Sequence, residues 1–145
     1  MPLPEKVVID ASALYALLSD RHTNHEVAVQ TFEWLIDREV ELWTTSYCLA
    51  EVSSFILEQA GVEAGSIFME AILDAAHVYW VSNPAHEEAW QHVIRIHSPL
   101  FTLGRATTAV AVRKLKAVAF AFEEHFLELS IPILPSRRRV QKNRL

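Results

Sequence analysis

Three acidic residues stand where short apolar runs end. Asp10 directly follows Lys6 to Ile9 (KVVI), and Glu123 follows Val118 to Ala121 (VAFA) after one intervening residue, Phe122. Runs this short and apolar read as buried strands. Glu51 sits about two turns into a helix that follows a third run, Glu41 to Thr44 (ELWT). From there its side chain leans back toward the helix N-terminus. In open parallel sheets, sites form just beyond the carboxyl ends of the strands. The three carboxylates are therefore expected to converge at one edge of the sheet. Clustered carboxylates repel one another unless a cation neutralises them. An all-oxygen donor set suits Mg²⁺ or Mn²⁺ better than zinc.

Competing chemistries lack their residues. Ser12 has no G-x-S-x-G elbow around it, so it reads as a helix cap rather than a hydrolase nucleophile. A haloacid-dehalogenase-like phosphatase needs a second aspartate two residues after the first, and that position is Ser12. A dinucleotide site needs a glycine-rich turn after the first strand, and D-A-S-A-L contains no glycine. The seven histidines show no metal-binding spacing, and His125 is expected to pack or hydrogen-bond near Glu123. Trp34, Trp43, Trp80 and Trp90 lie in apolar stretches, which favours packing over base stacking. Cys48, the single cysteine, reads as a small buried hydrophobe and excludes an intrachain disulfide.

The elements that must position these residues alternate between strand and helix. After the first strand, a helix carries Leu14, Leu17 and Leu18, with Ser12 available as its cap. Val27, Phe32, Leu35 and Ile36 recur at helical spacing up to Arg38. A long helix runs from Thr45 or Ser46 through Gln59, is punctuated at Gly61, and resumes from Val62 to Ala76. Val78 to Val81 (VYWV) reads as a strand, and Pro84 opens a helix to about Ile96. Ser98 to Gly104 reads as a loop before a helix from about Ala106 to Leu115, with Thr107 and Thr108 near its start. A turn or short helix over Glu123 to Leu129 leads to a last extended piece, Ile131 to Leu134. This alternation implies crossover connections and a mainly parallel sheet covered by helices on both faces.

The chain has 145 residues, a size suited to one domain, and contains no apolar run long enough to span a membrane. Its N-terminus lacks the features of a secretory signal, so a cytoplasmic location is expected. The net charge of −5 is uneven: Arg137, Arg138, Arg139, Lys142 and Arg144 leave a body near −10. We therefore separate residues 1–135, the α/β domain, from a basic tail over 136–145 that could touch phosphate.

In order, VVIDASALYALL, TTSYCLAEVSSFI, FTLGRATTAVAVRKL and AVAFAFEEHFLEL resemble the PIN-domain family, and its VapC-like bacterial toxins in particular. The resemblance implies a three-layer sandwich whose five-stranded parallel sheet has the order 3-2-1-4-5. It also implies acidic residues that bind Mg²⁺ or Mn²⁺ and cut single-stranded RNA. Matched by position, Asp10 is the family's first acid, Glu51 its second, and Glu123 stands where an aspartate is usual. A divalent ion held there would polarise a phosphoryl group and lower the pKa of a bound water. A homodimer and, for a toxin, a small antitoxin lying over the groove are further implications.

One departure stands out. The family's third acid closes a Ser-x-x-Asp pattern, and here the segment is Thr102-Leu103-Gly104-Arg105. Two unit charges about 4 Å apart interact by roughly 4 kcal/mol at an effective dielectric near 20. An inward Arg105 would therefore compete with a metal, or pair with Asp10 or Glu123 in its place; swung outward, it could hold a phosphate. Arg105, Ser12 and Thr107 are the candidate substrate contacts. Two expectations follow: a ribonuclease with an altered acidic site, or a non-cleaving PIN-like module that grips RNA or a protein partner.

Overall fold

In the computed structural model, which describes residues 2–135, the first strand occupies the centre of the sheet. The strands are β1 (Lys6–Ile9), β2 (Glu41–Thr45), β3 (His77–Tyr79), β4 (Val118–Phe120) and β5 (Ile133–Leu134). They lie in the order β3-β2-β1-β4-β5, and every pairing is parallel. Val7 is in register with Leu42 on one side and Val118 on the other. Each ladder neighbour of β1 is reached by a helical crossover, as a parallel sheet requires.

Five helices connect the strands: α1 (Ala11–Leu18), α2 (His25–Asp37), α3 (Ser46–Ala75), α4 (Asn83–Ile96) and α5 (Leu103–Leu115). A short 3-10 helix covers Glu124–Leu129. Because side chains alternate along a strand, Val7 and Ile9 enter one core layer and Val8 the other. The first layer joins α1, α2 and α3 through Leu14, Leu35, Val52 and Ile72. The second joins α4, α5 and the 3-10 helix through Ala89, Val110, Phe101 and Phe126. This is the three-layer α/β sandwich expected, with the expected strand order.

Several boundaries differ from the sequence reading. β3 ends at Tyr79, before Trp80 and Val81, because its only neighbour β2 ends at Thr45, the residue opposite Tyr79. Trp80 is consequently 75% exposed, and Trp90 on α4 is half exposed, so neither is a core residue. Helix α3 spans both expected segments, with Gly61 at φ 91° and ψ −179° as the break. Only glycine occupies that region readily. Helix α5 begins three residues earlier than expected, so Gly104 and Arg105 belong to its first turn. The Thr102 hydroxyl caps it, accepting from the Arg105 N–H at 3.2 Å. The tail assigned to 136–145 lies outside the described residues.

Candidate functional site

The ends of β1 and β4, the first turn of α5 and the second turn of α3 meet at one edge of the sheet. Asp10 leaves β1 with its N–H bonded to the Phe120 carbonyl (2.9 Å) and caps α1 itself. This corrects the assignment of Ser12 as that cap. One Asp10 oxygen, Oδ2, accepts from the Ser12 N–H at 3.0 Å and from the Ser12 hydroxyl at 2.5 Å. The other, Oδ1, accepts from the Thr108 hydroxyl at 2.6 Å. Asp10 is fully buried, and that burial raises its pKa against the pull of Ser12, Thr108 and the Arg105 charge.

Glu123 is buried and caps the 3-10 helix, with its Oε1 accepting from the His125 N–H at 3.0 Å. The same oxygen takes a very short hydrogen bond from His125 Nδ1. Its Oε2 takes Arg105 Nη1 at 2.6 Å. Arg105 Nη1 also donates to the Leu100 carbonyl at 2.9 Å. Burial works against the guanidinium charge, yet Asp10, Glu123 and Glu51 outweigh it and raise the Arg105 pKa. Glu123 pairs with Arg105 directly, and the Asp10 and Glu51 charges also favour its charged form.

Glu51 is half-buried on α3 and close to the first turn of α5. A Cβ on Gly104 would come within 2.9 Å of Glu51 Oε1, so a side chain there would displace the carboxylate. The Tyr15 phenol is pushed up to about 12, by burial first and by the neighbouring Glu51 charge second. Beneath the acids lies a seam of buried hydroxyls. Thr107 donates to the Gly104 carbonyl at 2.6 Å and bonds the Thr45 hydroxyl at 2.8 Å. The Cys48 thiol packs against Thr108 at 3.3 Å, and burial pushes its pKa up to about 12, with the Asp10 charge adding to it.

Two of the candidate substrate contacts thus point inward. Ser12 is committed to Asp10 and to the Phe122 N–H, and Thr107 is 1% exposed. Both hold the frame rather than face solvent. Sequence reasoning gave no site role to Tyr15 and did not foresee the bond from Thr108 to Asp10. Thr108 was discoverable: it lies one helical turn beyond Arg105 in the same helix, on the face turned toward β1.

The donor set does not fit a divalent ion. Among the described residues, no three His, Cys, Asp or Glu side chains form a group able to hold a metal. The three hydrogen bonds to Asp10 occupy both its oxygens, burial favours its neutral form, and a guanidinium is bound to Glu123. Glu123, one of the three acids expected to hold a metal, is instead paired with Arg105 in this arrangement.

A central β1 flanked by β2 and β4, with acids at the strand ends, is the PIN-like α/β fold. No family model matches the sequence, and no curated protein matches it. Among solved structures, Mycobacterium tuberculosis VapC20, described as a sarcin-ricin loop cleaving toxin, superposes with a TM-score of 0.70. It is 21% identical, over 86% of this chain and 95% of VapC20. FitAcB from Neisseria gonorrhoeae gives 0.65 at 10% identity, over 88% of this chain and 95% of its own. PAE2754 from Pyrobaculum aerophilum gives 0.58 at 16% identity, covering 96% of both. No helix among the described residues is long and apolar enough to cross a membrane.

Proposed function

We propose that this chain is a PIN-fold, VapC-like protein that binds single-stranded RNA through Arg105, which stands in the place of a divalent ion. The carrying observation is the way Arg105 is held. Nη1 is committed to Glu123 and Leu100, and Nε is buried with no hydrogen-bond partner among the described residues, while the side chain as a whole stays 22% exposed. A guanidinium anchored at one nitrogen and partly exposed is a group suited to pairing with an oxyanion. The description of VapC20 as a loop-cleaving toxin supports RNA as the ligand class. On this reading the protein works in the cytoplasm, a homodimer presents two such sites, and an antitoxin segment covers them.

The competing reading is a Mg²⁺- or Mn²⁺-dependent ribonuclease in which Arg105 has swung away. It is favoured by the three carboxylate charges that act on the one guanidinium. Binding of a labelled single-stranded RNA in the presence of a chelator separates the two. Wild type should bind, and Arg105→Gln should weaken binding about tenfold, the loss of roughly 1.4 kcal/mol from one charge-assisted contact. Binding that requires added Mn²⁺, or that is unchanged in Arg105→Gln, would overturn the proposal.

A further inference from the structure

A second contact for a strand held at Arg105 lies along the same sheet edge, and it rests on the RNA-binding reading just given. An apolar run implies packing for its tryptophan, yet Trp80, directly after β3, is 75% exposed. Two other tryptophans have their rings in use. Trp34 lies beneath the Arg38 guanidinium at 4.7 Å, and Trp43 packs on His77 at 4.9 Å and donates to Glu41. Trp80 has no such partner among the described residues. Its backbone, by contrast, is fixed on both sides. Tyr79 before it is the last ladder residue, paired with Thr45; after it, the Val81 N–H donates to the Ser46 hydroxyl at 3.0 Å, and Ser82 caps α4. An indole presented on a fixed backbone loses little freedom when a ligand covers it. The same contacts tie it to the Arg105 turn. Thr107, two residues beyond Arg105, bonds the Thr45 hydroxyl at 2.8 Å. Thr45 is the ladder partner of Tyr79, and neighbouring strands lie roughly 5 Å apart. The first turn of α5 and Trp80 are thus joined through a single strand end, within the reach of one short single strand.

We infer that Trp80 is the stacking platform for one base of a single-stranded RNA whose backbone pairs with Arg105. An indole face is flat and apolar, and every base has a π-face, so this contact accepts any base that is unstacked. A duplex keeps its bases stacked on one another and offers the indole no face. A protein segment could also cover an exposed tryptophan. Arg105, partly exposed on the same edge, favours RNA, because a phosphate follows every base and a protein segment carries no such regular anions. Trp80 contributes affinity and the preference for single strands, and takes no part in any bond-breaking step.

The test measures the affinity of the full chain for a labelled single-stranded RNA in a chelator, over a range of salt. Wild type is compared with Trp80→Ala and Trp80→Phe, the second separating a lost ring from a lost fold. Trp80→Ala should weaken binding about tenfold, and Trp80→Phe far less, since a ring remains. The salt dependence should be the same in Trp80→Ala as in wild type, because no phosphate contact is removed. An RNA made of abasic residues should bind wild type and Trp80→Ala alike. Equal affinity of wild type and Trp80→Ala for the ordinary RNA, or a loss that persists on abasic RNA, would overturn the inference while leaving binding through Arg105 intact. Loss of self-association in Trp80→Ala at unchanged RNA affinity, read by light scattering, would assign the indole to a protein interface and overturn it too. Failure of wild type to bind the RNA would instead overturn the reading on which it rests.

Discussion

Asp10 shows how a residue can match a motif and be set for a different task. Its carboxyl is buried, and its pKa is raised mainly by that burial. For an acid whose folded-state pKa lies above its unfolded one, the folded protein holds the extra proton. Stability is therefore full below the unfolded pKa and declines as pH rises through the folded pKa. Asp10→Asn removes that dependence while preserving size. Its thermal stability, followed across pH, should gain on wild type as pH climbs above the usual carboxylate range, and the two should converge in acid. An advantage that grew toward acid would contradict this assignment. Arg105 has the opposite role. Replacing it with Ala leaves Glu123 buried without one of its charged donors, and should cost about 2 kcal/mol in denaturant unfolding. The substitution at this position was legible in the sequence, from Thr102-Leu103-Gly104-Arg105 alone. Pairing with Asp10 or Glu123 was one of the expected outcomes, but the sequence could not choose Glu123 over Asp10 or over solvent, because two local segments do not report how their side chains meet.

At the scale of elements, the first turn of α5 is where the unusual features concentrate. A positive side chain at a helix N-terminus opposes the helix dipole, by up to about 1 kcal/mol. Arg105 is kept there by its ion pair with Glu123 at the start of the 3-10 helix, and the Asp10 and Glu51 charges favour its charged form. The Thr102 cap holds this turn in register, and Thr102→Ala should destabilise the protein by about 1 kcal/mol in chemical denaturation. The sequence placed this start too late because Gly104 reads as loop. Its real constraint is the nearness of Glu51 Oε1, a contact from another helix. Gly61 was read correctly as punctuation, since nothing but glycine suits its backbone. Gly61→Ala meets open space, so its cost is conformational only, about 2 kcal/mol.

For the whole molecule, the alternation of strand and helix was enough to give a parallel sheet covered on both faces. The order β3-β2-β1-β4-β5 came from the resemblance, and the likeness to VapC20 agrees with it. Edge strands were read too long because periodicity cannot show where a neighbour ends: β3 stops when β2 turns into α3. The same limit misplaced Trp80, which is apolar in pattern but lies past the last ladder pair. What the fold then supplies is a sheet edge where a buried acid, Glu123, is paired with a built-in cation, Arg105.

Calorimetric titration with Mn²⁺, on wild type and on Arg105→Asp, examines that cation most directly. With the guanidinium paired to Glu123, wild type should show no saturable uptake, and the variant should acquire one site per chain. Saturable uptake by wild type, no weaker than in Arg105→Asp, would mean that the arginine does not occupy the ion's place.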